Sequence, residues 1–138
     1  NTAYFVAAIP KSTGRDQFNL NWLEKKLPES ITDEDVQATL MALTVETIAR
    51  AVEQYAAKAL DVIVCGGGAY NIELIKLLEK RLPKIEIKTS EEFGIKPSAV
   101  EACCFALLAH LRLMNKNGNL PSVTQADKPG ILGSIYQL

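Results

Sequence analysis

The chain has 138 residues, 48% of them hydrophobic and 22% charged, with eight glycines and six prolines, a composition that fits one modest folded core and excludes disorder, collagen-like repeats and low complexity. Fifteen basic against sixteen acidic side chains leave a formal charge of -1, which excludes a global field attracting nucleic acid or an anionic membrane surface.

In chain order, Tyr4 to Ile9 reads as a short, mostly apolar strand, and Pro10 to Asp16 as a polar turn leaving its carboxyl end. Thr32 followed by Asp33, Glu34 and Asp35 predicts a capped helix start with acids in the positive first turn. Val36, Leu40, Leu43, Thr47, Ile48, Ala51, Val52 and Tyr55 recur at helical spacing and predict one buried stripe out to about Ala57. Val62 to Cys65 has the compact apolar character of a fully buried parallel strand, ended by Gly66-Gly67-Gly68. A second helix starts near Asn71 with Ile72, Ile75, Leu78 and Leu82 inward, Leu74 and Leu77 widening that face, and Pro83 stopping it. Ile85 to Lys88 alternates as a half-exposed strand, and Pro97-Ser98 opens a third helix that runs to about Met114 and ends in Asn115-Lys116-Asn117-Gly118. From Asn119 onward turn residues dominate. The expected order of three strand–helix pairs makes the fold class α/β with a largely parallel sheet.

Three cysteines, two of them adjacent at Cys103 and Cys104, supply neither a disulfide framework nor a Cys-x-x-Cys metal pair, so they read as small packing residues in a reducing cytoplasm. Every apolar stretch is broken well short of the roughly 18 to 20 residues that span a bilayer. The start at Asn1, without a methionine or leader before the first apolar run, is what a fragment is expected to show, and methionine removal would give the same start.

Gly66, Gly67 and Gly68 lie between a strand and a helix, where missing side chains let a ligand approach the backbone and the positive helix end. Nucleotide binding is the functional reading; tight strand-to-helix packing is the structural one. A dinucleotide fingerprint fails, because Asn71 stands where the third glycine belongs and Glu86, the acid about twenty residues on, lies inside a strand. A phosphate-cradling P-loop fails too, since no Gly-Lys-Ser/Thr follows.

Lys11-Ser12-Thr13-Gly14-Arg15-Asp16-Gln17-Phe18-Asn19, Trp22-Leu23, Asp35 to Leu40 and Val64-Cys65-Gly66-Gly67-Gly68-Ala69-Tyr70-Asn71 resemble, in this order, the C-terminal part of anhydro-N-acetylmuramic acid kinases. Gly94-Ile95, Pro97, Val100-Glu101-Ala102 and Gly118 to Thr124 continue the likeness, which covers essentially the whole chain. The resemblance implies membership of the actin, hexokinase and heat-shock chaperone ATPase superfamily, built as two ribonuclease-H-like lobes around a cleft. Residues 1-138 would then be the C-terminal part of the second lobe, three-layered with a largely parallel central sheet flanked by helices, with the N-terminal lobe absent. The implied activity uses ATP and Mg²⁺ to phosphorylate the 6-hydroxyl of 1,6-anhydro-N-acetylmuramic acid while water opens the anhydro ring, giving N-acetylmuramic acid 6-phosphate in cell-wall recycling. The family's catalytic aspartate belongs to an Asp-x-Gly-x-Gly-Asn segment that these residues do not contain. The chain would therefore carry the adenosine-binding part and be inactive alone.

On this likeness Gly66, Gly67 and Gly68 form the adenosine loop. Asn71 either hydrogen-bonds the nucleotide or caps the helix. Glu101 faces the sugar and orients it or the ring-opening water, while Ser98-x-x-Glu101 is also a capping box with a purely structural role. Lys11, Ser12, Thr13, Gly14 and Arg15 form a hydroxyl-rich basic loop suited to a phosphate or acidic sugar, or a solvated turn. Trp22 and Phe18 are expected to anchor that loop to the core, and His110 to be a partly buried helix residue rather than a metal ligand, no metal residue being expected anywhere in the chain. Gln125 stands where the family has glycine, so a different local turn is expected there. Partners implied are the amino-sugar substrate, the missing lobe and a second copy in a homodimer, with no nucleic acid or membrane. The competing readings are a non-catalytic nucleotide-binding or oligomerisation module, and a redox protein binding NAD.

Overall fold

The computed structural model describes residues 3–136, which fall into two compact units: residues 27–101, and residues 3–26 with 102–136. In the first, helix α3 (Asp33–Tyr55) starts where its cap was expected, with Thr32 Oγ1 accepting from the Asp35 amide at 3.2 Å. Strand β1 (Asp61–Val64), helix α4 (Ile72–Arg81) and strand β2 (Glu86–Thr89) follow. Residues between the strands cross over through α4, so β1 and β2 pair in parallel, Val62 opposite Ile87 and Val64 opposite Thr89.

The core lies on one face of this ladder. Val45 of α3 and Leu74 and Leu78 of α4 are buried, and Met41, Ile48, Leu77, Val64 and Ile87 pack against them. Two sequence expectations shift in phase. The inner line of α4 runs Leu74, Leu78, Leu82, leaving Ile72 71% exposed; that of α3 runs through Val45 and Ala49, leaving Ala51 and Tyr55 exposed. Both helices carry apolar residues on more than one face, so spacing alone fits several inward lines and only the docked partner selects one.

The first strand expected from sequence is not formed. Ala3–Val6 is a short helix, α1, so the sheet has two strands, and β1 is only partly covered, with Ile63 51% exposed on the face opposite the core. The reason is geometric: a strand would send Tyr4 and Phe5 to opposite faces, whereas a helical turn lets both reach Phe18. Their ring centroids lie 5.3 Å from that of Phe18, which in turn meets Trp22 edge-on at 5.0 Å. Helix α2 (Leu20–Glu24), capped by Asn19, carries Trp22.

Helix α5 (Val100–Leu113) starts from the single turn Pro97–Ala99 and ends as Asn115 takes a left-handed conformation, φ 51°. It buries no residue: Phe105 is 72% exposed, and Cys103, Cys104 and His110 are exposed rather than packed. A short helix α6 (Pro121–Thr124) follows, and Gln125 takes a left-handed φ of 61°, so glutamine does not force the turn out of the positive-φ region as expected, its amide side chain donating to the Pro10 carbonyl. Among the described residues no helix is long and apolar enough to cross a membrane.

Candidate functional site

The carboxyl end of β1 runs through Cys65 into the glycine turn. Gly66 adopts φ 68° and ψ -163°, a region open in practice only to glycine. A Cβ built on Gly66 or Gly67 meets no atom within 4 Å, so both face open space; on Gly68 it would lie 3.4 Å from Leu74 Cδ2, where the turn rests on the core. Two of the three glycines therefore leave bare backbone for a ligand and the third serves packing. The Gly67–Tyr70 stretch is a 3₁₀ turn leading straight into α4.

Asn71 caps α4, its Oδ1 accepting from the Leu74 amide at 3.1 Å. The capping reading is thus realised, and the side-chain amide nitrogen is the atom left to meet a ligand. A backbone bond ties the turn to the next loop: the Gly66 amide donates to the Pro97 carbonyl at 3.0 Å. The Tyr70 hydroxyl reaches Ser98 Oγ at 3.4 Å. Pro97 is buried and Glu101 sits exposed in the first turn of α5, four residues later. The turn before α5 has no side-chain cap, and the reciprocal bond from an acid three residues on occurs instead at Thr89, whose amide donates to Glu92 Oε1 at 2.8 Å. The glycine turn and the approach to Glu101 are therefore joined at the carboxyl ends of the two strands, where ligands bind in open α/β sheets.

Sequence reasoning missed Pro97 and Tyr70 as parts of this arrangement, together with Ser90. Ser90 follows the last residue of β2 and is 7% exposed, its hydroxyl without a hydrogen-bond partner among the described residues. Its place at a strand end was the available signal.

The loop of Lys11 to Arg15 belongs to the other unit. Lys11 Nζ donates to the Tyr4 carbonyl at 2.9 Å and lies 4.9 Å from the Tyr4 ring, so this cation satisfies carbonyls of α1. Gln17 and Phe18 amides both donate to the Gly14 carbonyl at 3.2 Å, and Phe18 and Trp22 hold the turn in an aromatic cluster with Tyr4 and Phe5 rather than anchoring it to the core as expected.

Two clusters of paired charge stand elsewhere in the first unit. Arg81, ending α4, grips Glu46 at 2.8 Å and Glu53 at 2.6 Å on α3, and Arg50 adds a bond of 2.7 Å to Glu46. The Arg81 and Arg50 hydrogen bonds hold the Glu46 carboxyl down to about 2, and Arg81 lowers Glu53. Lys88 bonds Asp61 on the neighbouring strand at 2.7 Å and Glu86 on its own strand at 2.6 Å, which raises its ammonium further above its ordinary range. A concavity of about 480 Å³ lined by Glu53, Arg81, Leu82 and Ile85 lies at the opposite, amino-terminal ends of the strands, and its arginine is already committed to Glu53. Among the described residues no three His, Cys, Asp or Glu side chains gather to hold a metal ion.

The family model described as anhydro-N-acetylmuramic acid kinase matches residues 1–138. The chain is 49% identical over 137 residues to a protein of Cupriavidus pinatubonensis, 46% over 134 to one of Coxiella burnetii and 45% over 140 to one of Paraburkholderia xenovorans, each named anhydro-N-acetylmuramic acid kinase. Each alignment covers 96% of this chain but only 36 to 37% of the relative, so the chain spans about a third of their length.

Proposed function

The chain belongs to the anhydro-N-acetylmuramic acid kinase family, and from that premise we propose that it contributes the adenosine-binding part of an ATP-dependent sugar kinase acting in peptidoglycan recycling. The proposed reaction transfers a phosphoryl group to the 6-hydroxyl of 1,6-anhydro-N-acetylmuramic acid with hydrolytic opening of the anhydro ring. The observation that carries the nucleotide reading is the glycine turn: Gly66 in a glycine-only conformation and open backbone at Gly66 and Gly67, at the carboxyl end of a parallel strand. This surface fits a flat nucleoside lying against the backbone, with the Asn71 amide at its edge.

ATP, when bound, supplies the phosphoryl group, and Mg²⁺ would neutralise its oxygens. With no ligand set gathered among the described residues, the metal's protein contacts are assigned to the remainder of the protein. Glu101 is proposed to orient the sugar or the attacking water, working with an aspartate outside these residues. The Gly66 to Pro97 bond supports that assignment by tying the nucleoside turn to the loop that leads into Glu101.

In this reading the two-stranded ladder is part of a larger three-layer, ribonuclease-H-like lobe of the actin, hexokinase and heat-shock chaperone superfamily. Ile63 and the uncovered α5 support it, because parallel strands and helices apolar over most of their surface are normally enclosed on both sides. A homodimeric, cytoplasmic enzyme completes the proposal. The test is direct: the protein carrying the whole family sequence should convert the anhydro-sugar to its 6-phosphate with ATP, while the 138-residue chain shows no turnover and responds to ADP but not NAD. Sugar phosphorylation by the chain alone, or protection of it by NAD and not ADP, refutes the assignment.

A further inference from the structure

Tyr70 closes the glycine turn, yet it is 58% exposed. Single exposed aromatics are ordinary on protein surfaces, so exposure alone assigns nothing. What sets this ring apart is that it is held. Its hydroxyl reaches Ser98 Oγ at 3.4 Å, a long contact that steadies the ring without burying it. Ser98 follows Pro97, whose carbonyl accepts from the Gly66 amide. The ring therefore spans from the end of the turn to the loop before α5, alongside the backbone bond that joins the same two segments.

The aromatic side chains of residues 27–101 are Tyr55, Tyr70 and Phe93. Tyr55 ends α3 and Phe93 closes the turn after β2, whereas Tyr70 lies in the glycine turn itself. There the backbone of Gly66 and Gly67 faces open space, a built Cβ meeting no atom within 4 Å. A ring more than half exposed cannot be covered on both faces, so one face is free for a flat partner. Ordering it further costs little, because tyrosine has two side-chain torsions and the far end of this one is already steadied. Aromatic faces accept other π systems in offset stacks, and every nucleobase has such a face. Bare backbone followed by a tethered ring gives a floor in two parts, the first without side chains to exclude a ribose and the second flat enough for a base.

We propose that Tyr70 is a further binding residue of this site, its ring stacking on the nucleobase while the ribose lies over Gly66 and Gly67; the assignment rests on the nucleotide reading given above. The experiment is titration of the chain with adenosine and with ADP, read by backbone amide shifts, for the unaltered protein, Tyr70→Ala, Tyr70→Leu, Tyr70→Phe and Gly67→Val. Tyrosine ring-proton shifts are recorded alongside. Tyr70→Ala is expected to weaken adenosine and ADP alike by about 5- to 150-fold, the worth of one base stacked on an aromatic ring. Tyr70→Leu keeps apolar bulk but no aromatic face and is expected to show most of that loss, which gives a second reading if the alanine variant folds poorly. Tyr70→Phe keeps the face and gives up only a long hydroxyl contact, so it should bind within about threefold of its parent. In the unaltered chain the Tyr70 ring protons, identified by their disappearance in Tyr70→Phe, should move upfield as adenosine is added, because stacked rings shield one another. A loss in Tyr70→Phe equal to that in Tyr70→Ala makes the hydroxyl the contact and overturns the stack, as does full affinity in Tyr70→Leu. A loss confined to ADP overturns it in favour of a phosphate contact. Unchanged affinity in Tyr70→Ala, with Gly67→Val still weakening both ligands, overturns the Tyr70 assignment and leaves the nucleotide reading standing. Absence of any response in the unaltered chain overturns the nucleotide reading and this assignment together.

Discussion

Gly67 separates a ligand role from a structural one more cleanly than either neighbouring glycine. Gly66 needs a glycine-only conformation, so Gly66→Ala is strained by about 1–3 kcal/mol before any ligand is considered. A side chain on Gly68 presses on Leu74 at 3.4 Å. Gly67 has neither constraint: its φ lies outside the left-handed range and nothing stands within 4 Å of a Cβ built there. Gly67→Ala should therefore stabilise the chain by about 0.4–1 kcal/mol through the narrower unfolded ensemble, a rise of a few degrees in Tm. The same open space is where the nucleoside is proposed to lie. Gly67→Val fills it with three carbons, and forcing extra carbon into an occupied contact costs about 1–3 kcal/mol, which converts to about a 5- to 150-fold weaker Kd for ADP. Amide-shift titration with ADP reads the affinity and urea unfolding reads the stability. A Gly67→Val protein that is folded and binds ADP within twofold of its parent would falsify the placement of adenosine on this turn.

Three further outcomes follow from the same structure. Asn71→Ala should lose about 1 kcal/mol with the cap, and Asn71→Asp should keep the cap while weakening ADP binding if the side-chain amide meets the nucleotide; urea unfolding with ADP titration distinguishes the two effects. Leu78→Ala, at a site with no exposed surface, should cost about 2–5 kcal/mol in urea unfolding, and a loss below 1 kcal/mol contradicts the core described for this unit. The Arg81 clamp should show itself through pH: Glu46 is lowered to about 2 from an ordinary 4.5, so its contribution is full above about 4.5 and disappears as pH falls toward 2. The stability difference between the parent and Arg81→Met should shrink across that window, and a constant difference refutes an ionic role; because these groups are exposed, added salt should shrink it as well.

Elements with local signals were legible in the sequence. Thr32 with three acids, Asn71 before an apolar run and Pro97 before α5 each mark a helix start by chemistry that acts within one turn. What eluded the sequence depends on partners remote in the chain. Tyr4 and Phe5 form a helix because Phe18, itself backed by Trp22, gathers both rings, and α4 turns Leu74 inward because α3 and the ladder lie there. The candidate site divides in the same way: the glycines and Asn71 announce themselves by type, whereas the part played by Pro97 rests on a carbonyl that no residue pattern reveals.

The Gly66 to Pro97 bond joins two main-chain groups, and that puts it beyond the reach of side-chain truncation. Proline keeps its carbonyl and glycine its amide, so no conventional side-chain truncation deletes either partner. Alanine scanning across 66–101 would pass over the tie altogether and credit its effects to whichever neighbouring side chain disturbs it. The perturbation matched to it is replacement of the Gly66 residue by glycolic acid, an amide-to-ester exchange that puts an oxygen in place of the donating N–H and alters no side chain. For the same reason the tie tolerates drift in the surrounding sequence, so the spacing between the turn and the glutamate's helix can persist while the residues that line it change.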